Sequence, residues 1–158
     1  MSCYQPPGNY LPHESPMMLL DEVVSVTDNS ADCRVAIHSA GVLAPFLTAE
    51  HTLPGWYGLE LMAQTVGVWS GWHRQQRGQQ SIALGMVLGA REYTCPAGEF
   101  PADVILDIHV SLLMQDARFG SFECTIRHLN QNLATGRINT FQPDSEELAS
   151  LFQQGNTP

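Results

Sequence analysis

Lysine is absent from this chain of 158 residues, and its seven positive charges all belong to arginine. Charged residues make up only 15% of the sequence, below the share of about a quarter that is usual in globular domains. This shortage predicts that a partner covers part of the surface. The formal net charge is −9. Since phosphate neutralisation needs clustered cations, the chain is expected to bind neither nucleic acid nor an anionic membrane surface.

The sequence also lacks the short motifs of several enzyme classes. Its four cysteines are widely spaced and form no C-x-x-C pair, which predicts reduced thiols rather than a disulfide scaffold. The metal motif H-E-x-x-H and the nucleophile motif G-x-S-x-G do not occur. We therefore predict no metal ion, no other cofactor and no serine or cysteine nucleophile.

Targeting and membrane signals are missing as well. The first ten residues contain neither a basic region nor an apolar run, so no signal peptide is expected and the cytoplasm is the expected compartment. The most apolar region, residues 53–72, is interrupted by Glu60, Gln64 and four glycines, which predicts that it does not span a bilayer. With 44% hydrophobic residues, the chain is long enough to form one domain, 1–158, with its own core.

The order of the predicted elements indicates an α+β fold. One long helix is expected from Pro54 to about Arg77, and apolar residues surround most of it, which is typical of a buried helix. An antiparallel six-stranded sheet that wraps this helix is the simplest arrangement, and its uncovered edges predict a dimer. The remaining elements are an extended arm (1–16), two strands before the helix (17–27 and 31–38), four strands after it (82–94, 104–114, 119–128 and 133–141) and a tail (144–158).

A single carboxylate interrupts the apolar start of the helix. Glu60 is surrounded by Trp56, Leu59 and Leu61, and Gln64 follows one turn later on the same helix face. A carboxylate in apolar surroundings is costly to bury without partners, and such a group is suited to giving or taking a proton. Glu60 is therefore the predicted functional residue, with Gln64 orienting it or a water molecule.

Two segments in this order and spacing resemble the FabA/FabZ-type 3-hydroxyacyl-[acyl-carrier-protein] dehydratases. Residues 11–21 read L-P-H-E-S-P-M-M-L-L-D, and residues 54–64 read P-G-W-Y-G-L-E-L-M-A-Q. Within that superfamily the chain looks most like the ApeP-type dehydratase-like proteins of aryl-polyene gene clusters, which share the helix motif and a strand that ends N-x-F-Q-P-D, here residues 139–144. The resemblance covers roughly residues 10–145.

The resemblance implies a hotdog fold and the dehydration of 3-hydroxyacyl thioesters, on acyl carrier protein, in fatty-acid or polyene-type biosynthesis. It assigns catalysis to Glu60 and thioester binding to the backbone amides at the start of the helix. It also implies either a homo-dimer or a hetero-dimer with a related dehydratase. The expected substrate-binding residues are Gly55, Trp56, Gly58, Gln64, Gly85 and Gly89, the last two in a strand that borders the pantetheine entrance in hotdog proteins.

One departure concerns the catalytic histidine of the family, which precedes the helix carboxylate by fourteen residues. That position is Phe46 in this sequence. Two other histidines are candidates for the missing base: His51 lies in the same segment, and His13 lies in the L-P-H opening. The histidines at positions 38, 73, 109 and 128 are expected to be surface residues.

The missing histidine leaves three functions open. The first is a 3-hydroxyacyl thioester dehydratase. The second is a hotdog thioesterase that uses the helix carboxylate alone. The third is a non-catalytic subunit that pairs with a histidine-bearing dehydratase. An acyl carrier protein is acidic, as is this chain, so its docking would need a local basic patch, with Arg74 and Arg77 or Arg118 and Arg137 as candidates.

Overall fold

The computed structural model describes residues 4–10, 18–78, 87–116 and 119–141. These residues contain one α-helix and eight strands, which are listed here in chain order. They are β1 (Glu22–Val26), β2 (Ser30–Ala36), β3 (Leu53–Pro54), α1 (Tyr57–Gln76), β4 (Val87–Thr94), β5 (Glu99–Phe100), β6 (Ile105–Gln115), β7 (Phe119–His128) and β8 (Gln131–Phe141). Two single turns of 3-10 helix, Pro7–Asn9 and Ala44–Phe46, complete the described structure.

Six of these strands form one sheet in the order β1-β2-β6-β7-β8-β4, and every neighbouring pair is antiparallel. Buried and accessible residues alternate along β2, β6, β7 and β8, as they do when one face of a sheet meets a core. The face formed by buried residues such as Ile108, Phe122 and Ile138 packs on α1. The predicted sheet wrapped around one helix is therefore confirmed for the described residues.

The helix begins three residues later than predicted. Leu53 and Pro54 pair with Phe100 and Glu99 as the two-stranded sheet β3–β5, which the sequence pattern did not predict. The amide of Gly55 donates to the carbonyl of Gly98 at 2.9 Å and extends this pairing up to the helix start. The helix ends close to the predicted residue, and Gly78 follows it with a φ of +79°, the left-handed conformation expected of a C-terminal glycine.

The N-terminal arm is less extended than predicted. Pro7–Asn9 turn as a 3-10 helix, and Tyr10 is buried against the far half of α1. A Cβ atom on Gly71 would lie 2.9 Å from the carbonyl carbon of Tyr10. The arm can therefore contact the helix at Gly71 only because glycine has no side chain. The tail 144–158 lies outside the described residues. No helix among the described residues combines the length and the hydrophobicity needed to cross a membrane.

Within the described sheet, β1 and β4 are the edge strands. An edge strand presents backbone donors and acceptors that a second chain can extend. Residues 89–92 of β4 are exposed, so this edge is accessible along the half of the strand that leads toward the start of α1. The dimer stays a prediction, and we expect a second chain to pair with the exposed edge of β4.

Candidate functional site

Glu60 lies in the first turn of α1, where its carboxylate is held by Gln64. The side-chain amide of Gln64 donates to Glu60 Oε1 at 3.1 Å, and Gln64 Oε1 accepts the backbone N–H of Leu19 at 3.0 Å. A backbone N–H can only donate, so the amide must turn its oxygen toward Leu19 and its nitrogen toward Glu60. Gln64 is only 1% exposed. The segment before β1 therefore fixes the rotamer of Gln64, which in turn positions Glu60.

We predict that Gln64→Leu destabilises the protein by about 1–3 kcal/mol, because the buried N–H of Leu19 loses its acceptor. The matched control is Gln75→Leu on the same helix. Gln75 also binds a backbone group, the carbonyl of Asn9 at 2.7 Å, but at an exposed site where water replaces the lost bond. This control is expected to cost about 0.5 kcal/mol or less. Chemical denaturation measures both values, and equal losses would contradict the role given to Gln64.

The N-terminal end of α1 offers unpaired backbone donors. No side chain caps the helix, and within the described part of the chain the amides of Trp56 and Tyr57 donate no hydrogen bond. Such amides carry the positive end of the helix dipole and suit an oxygen that gains negative charge. Of the predicted glycines here, Gly55 approaches the 95–98 turn, where an added Cβ would lie 2.8 Å from Gly98 O, and Gly58 faces Tyr93. Neither position therefore has room for a side chain.

Tyr93 is the residue at this helix start that the sequence pattern did not identify. A bulge in β4, between Arg91 and Thr94, gives Glu92 a positive φ of 55° and turns Tyr93 toward the helix. The ring passes over Gly136 of β8, and the hydroxyl donates to the carbonyl of Gly55.

Two aromatic rings stand beside the helix start. Phe46, at the position where the family has its histidine, packs on Tyr57 with ring centroids 5.1 Å apart. A phenyl ring transfers no proton, so this position supplies no acid or base. Trp56 was predicted among the apolar residues around a buried helix, but it is 69% exposed. Its indole therefore lies outside the core, 6.0 Å from the ring of Tyr57.

The described histidines have different surroundings. His51 is exposed in a turn before β3 and has a φ of +66°. Its backbone N–H donates a hydrogen bond to the carbonyl of Thr48. The side chains of the other described histidines form hydrogen bonds elsewhere in the fold: His38 with Ala40, His73 with Thr27, His109 with Asp32 and His128 with Ile105. His13, the other candidate base, lies outside the described residues.

The two predicted glycines of the strand after the helix stay predicted binding residues. Gly85 lies outside the described residues. Gly89 pairs with Asn139 on the outer part of the sheet, and a Cβ atom added there would meet nothing within 4 Å. Gly89 lines a surface cavity together with Met114, Phe119 and Phe141, so its role in substrate binding stays a prediction.

Two of the described cysteines, Cys33 and Cys124, are buried in the core. Burial raises the pKa of Cys33 to about 12, and it raises the pKa of Cys124 to about 12 as well, so neither thiol is a thiolate near neutral pH. No group of three or more metal-binding side chains occurs among the residues with described positions. The described groups at this site that suit acid–base and oxygen-binding chemistry include Glu60 and the backbone amides at the helix start.

Solved structures provide the first comparison. The chain is similar to a chain of the dehydratase heterocomplex ApeI:P from Xenorhabdus doucetiae, with 46% identity, a TM-score of 0.86, and coverage of 94% of this chain and 98% of that one. A hypothetical thioesterase with coenzyme A from Streptococcus pneumoniae is 14% identical, with a TM-score of 0.58 over 77% of this chain and 84% of that one. The PaaI protein of Escherichia coli is 12% identical, with a TM-score of 0.51 over 76% and 81%.

These likenesses confirm the predicted hotdog fold, and the two distant ones show the fold alone. None of the curated protein sequences matches the chain significantly. The model of the ApeP-like family, described as ApeP dehydratase, matches residues 5–153. The predicted dehydratase class is thereby confirmed, and this chain belongs to the ApeP-like dehydratase family.

Proposed function

We propose that this chain is the carboxylate-bearing subunit of a hetero-dimeric dehydratase that acts on 3-hydroxyacyl thioesters. The observation that carries the proposal is the Glu60 carboxylate, held by the buried Gln64 beside the amides of Trp56 and Tyr57, which have no acceptor among the described residues. An acid and two oxygen-binding donors at one helix start are two of the three components that this dehydration needs.

The reaction removes water across two carbon atoms. A base takes the proton from C2, the C2–H electron pair forms the C2=C3 double bond, and the C3–O bond breaks. Glu60, as the carboxylic acid, gives its proton to the departing hydroxyl, which leaves as water. The amides of Trp56 and Tyr57 stabilise the thioester oxygen while negative charge develops on it. The base is the component that Phe46 does not provide.

The missing base favours the hetero-dimeric form of the proposal. The similar chain from Xenorhabdus doucetiae belongs to a dehydratase heterocomplex. A partner of the same fold, with a histidine at the position of Phe46, would supply the base to a site that Glu60 completes. The exposed edge strand β4, which leads into Tyr93 at the helix start, is the expected place of contact. A hetero-dimer also accounts for the low charge of the surface.

The carrier of the acyl chain is expected to be an acidic acyl carrier protein. Arg137 faces Arg91 across the β8–β4 pair, two residues from Tyr93 and thus close to the helix start. Arg74 and Arg77 lie at the other end of α1, about 20 to 25 Å from Glu60 at about 1.5 Å per residue. The Arg91–Arg137 pair is therefore the better-placed site for an acidic carrier. Arg118 lies outside the described residues.

The function is tested with the chain alone and together with a histidine-bearing dehydratase of the same fold, the partner that the proposal requires. Both samples are assayed on a 3-hydroxyacyl thioester of acyl carrier protein and of coenzyme A, and the enoyl product and the loss of water are measured by mass spectrometry. We expect turnover by the complex and a rate at least ~100-fold lower for the chain alone, because a positioned base contributes that much or more.

Each alternative gives a different result in the same assay. If the chain alone matches the complex, the hetero-dimer is not required, and loss of that activity in His13→Ala would place the base in the N-terminal arm. Hydrolysis of a saturated acyl thioester without any dehydration would instead indicate a thioesterase. A partner that binds and remains fully active with Glu60→Gln in this chain would indicate a purely structural subunit.

A further inference from the structure

The start of α1 is attached to the segment 93–98 by both polar groups of Gly55. Its amide donates to the carbonyl of Gly98 at 2.9 Å, and its carbonyl accepts the hydroxyl of Tyr93. The same carbonyl also accepts the amide of Gly58 at 3.1 Å. Two donors from different elements therefore hold this carbonyl in one orientation.

The orientation of that carbonyl determines the direction of the next amide. The peptide group between Gly55 and Trp56 is planar and trans, so the N–H of Trp56 points opposite to the carbonyl that Tyr93 holds. A hydrogen bond to the carbonyl also polarises the peptide group and makes its N–H a stronger donor. Within the described residues the amide of Trp56 has no acceptor of its own. Its donor capacity thus remains available to a ligand.

We propose that Tyr93 is a positioning residue of the dehydratase, because it orients and strengthens the Trp56 amide that binds the thioester oxygen. This inference rests on the proposed function, since it concerns one of the oxygen-binding donors assigned there. Tyr93 itself touches neither the substrate nor the reacting atoms. It acts through the peptide group of Gly55 and Trp56.

The surroundings of Tyr93 suit this role. The bulge in β4 and the bare backbone of Gly136 let the ring cross from the edge strand to the helix, where the missing side chain of Gly58 leaves room for the hydroxyl. Burial raises the pKa of Tyr93 above its usual value, so the hydroxyl keeps its proton and donates throughout the physiological pH range. The bond to Gly55 therefore does not titrate during catalysis.

The test compares Tyr93→Phe with Tyr10→Phe in the complex with the partner dehydratase. Both variants remove one tyrosine hydroxyl that binds a backbone group, since the hydroxyl of Tyr10 accepts the amide of Gln5 at 3.1 Å. Tyr10 packs at Gly71, about 20 Å along the helix from Gly58. We expect Tyr93→Phe to lower kcat by roughly tenfold with KM unchanged, less than the ~100-fold loss of a whole oxyanion donor. Tyr10→Phe should leave both constants unchanged.

A spectroscopic measurement separates positioning from a general structural effect. The probe is a saturated acyl pantetheine thioester with a 13C-labelled carbonyl, which has no 3-hydroxyl to lose. Infrared difference spectra should show a lower carbonyl frequency in the wild-type and Tyr10→Phe complexes than in Tyr93→Phe. Unchanged kcat and frequency in Tyr93→Phe, while Glu60→Gln abolishes turnover, would overturn this inference alone. Full activity of Glu60→Gln would overturn the proposed function itself.

Discussion

Glu60→Gln in the complex is expected to lower the dehydration rate by ~100-fold or more, which corresponds to about 2.7 kcal/mol of transition-state stabilisation. The substitution keeps the shape of the side chain and removes the proton that the departing hydroxyl needs. The new amide oxygen can still accept the hydrogen bond from Gln64. Steady-state kinetics on a 3-hydroxyacyl thioester measure the loss.

The melting temperature of Glu60→Gln should stay the same or rise, because a partly buried charge is replaced by a neutral group. Glu22→Gln is the matched control, since Glu22 is exposed on β1, at the opposite edge of the sheet from β4 and Tyr93. It should change neither rate nor stability. Full activity of Glu60→Gln would show that the carboxylate has no role in the reaction, even though the fold and the family are right.

Gly58→Ala is expected to destabilise the protein by about 1–3 kcal/mol, the usual cost of overpacking. This direction is opposite to helix propensity, which favours alanine over glycine by about 1 kcal/mol. The added Cβ would collide with the hydroxyl of Tyr93 and lie 3.0 Å from the ring of Phe100. Denaturant unfolding measures the change, and an equal or greater stability in Gly58→Ala would show that Tyr93 does not occupy this position.

Two further variants make the Gly58 result specific. Gly89→Ala introduces the same methyl group into open space on β4 and should change stability by about 0.5 kcal/mol or less. The double variant Gly58→Ala with Tyr93→Phe removes the nearest clashing atom and should recover a large part of the loss. Additive effects of the two substitutions would contradict direct contact, because residues in contact are coupled.

Features that depend on local periodicity were predictable from the sequence. The strand Phe119–His128 has its predicted ends, and α1 ends within one residue of the prediction, with Gly78 in the expected left-handed conformation. The pairing of Glu60 with Gln64 follows from a spacing of four residues, which places both side chains on one helix face. Each of these features is set by residues that lie only a few positions apart in the sequence.

Features that depend on distant partners were not predictable in the same way. The bulge that turns Tyr93 toward the helix arises from a mismatch of one residue with β8, about forty positions later in the chain. Similarly, the acceptor role of Gln64 toward Leu19 spans 45 residues. Alternation of apolar and polar residues tells which face of the sheet a side chain lies on only if the strand pairs without a bulge. Because β4 has a bulge next to Tyr93, the sequence pattern did not predict that its side chain contacts the helix.

The sequence by itself determined the order of the elements, the buried helix, the carboxylate in its first turn and the family of this protein, because each is encoded in short spacings and motifs. The tertiary structure alone decided how the helix start is built: the small sheet β3–β5, the Tyr93 hydroxyl on Gly55 and the exposure of Trp56. The physical reason is that every residue except proline carries the same backbone amide and carbonyl. Their directions are set by the segments that pack against them, and no local sequence pattern records which segments those are.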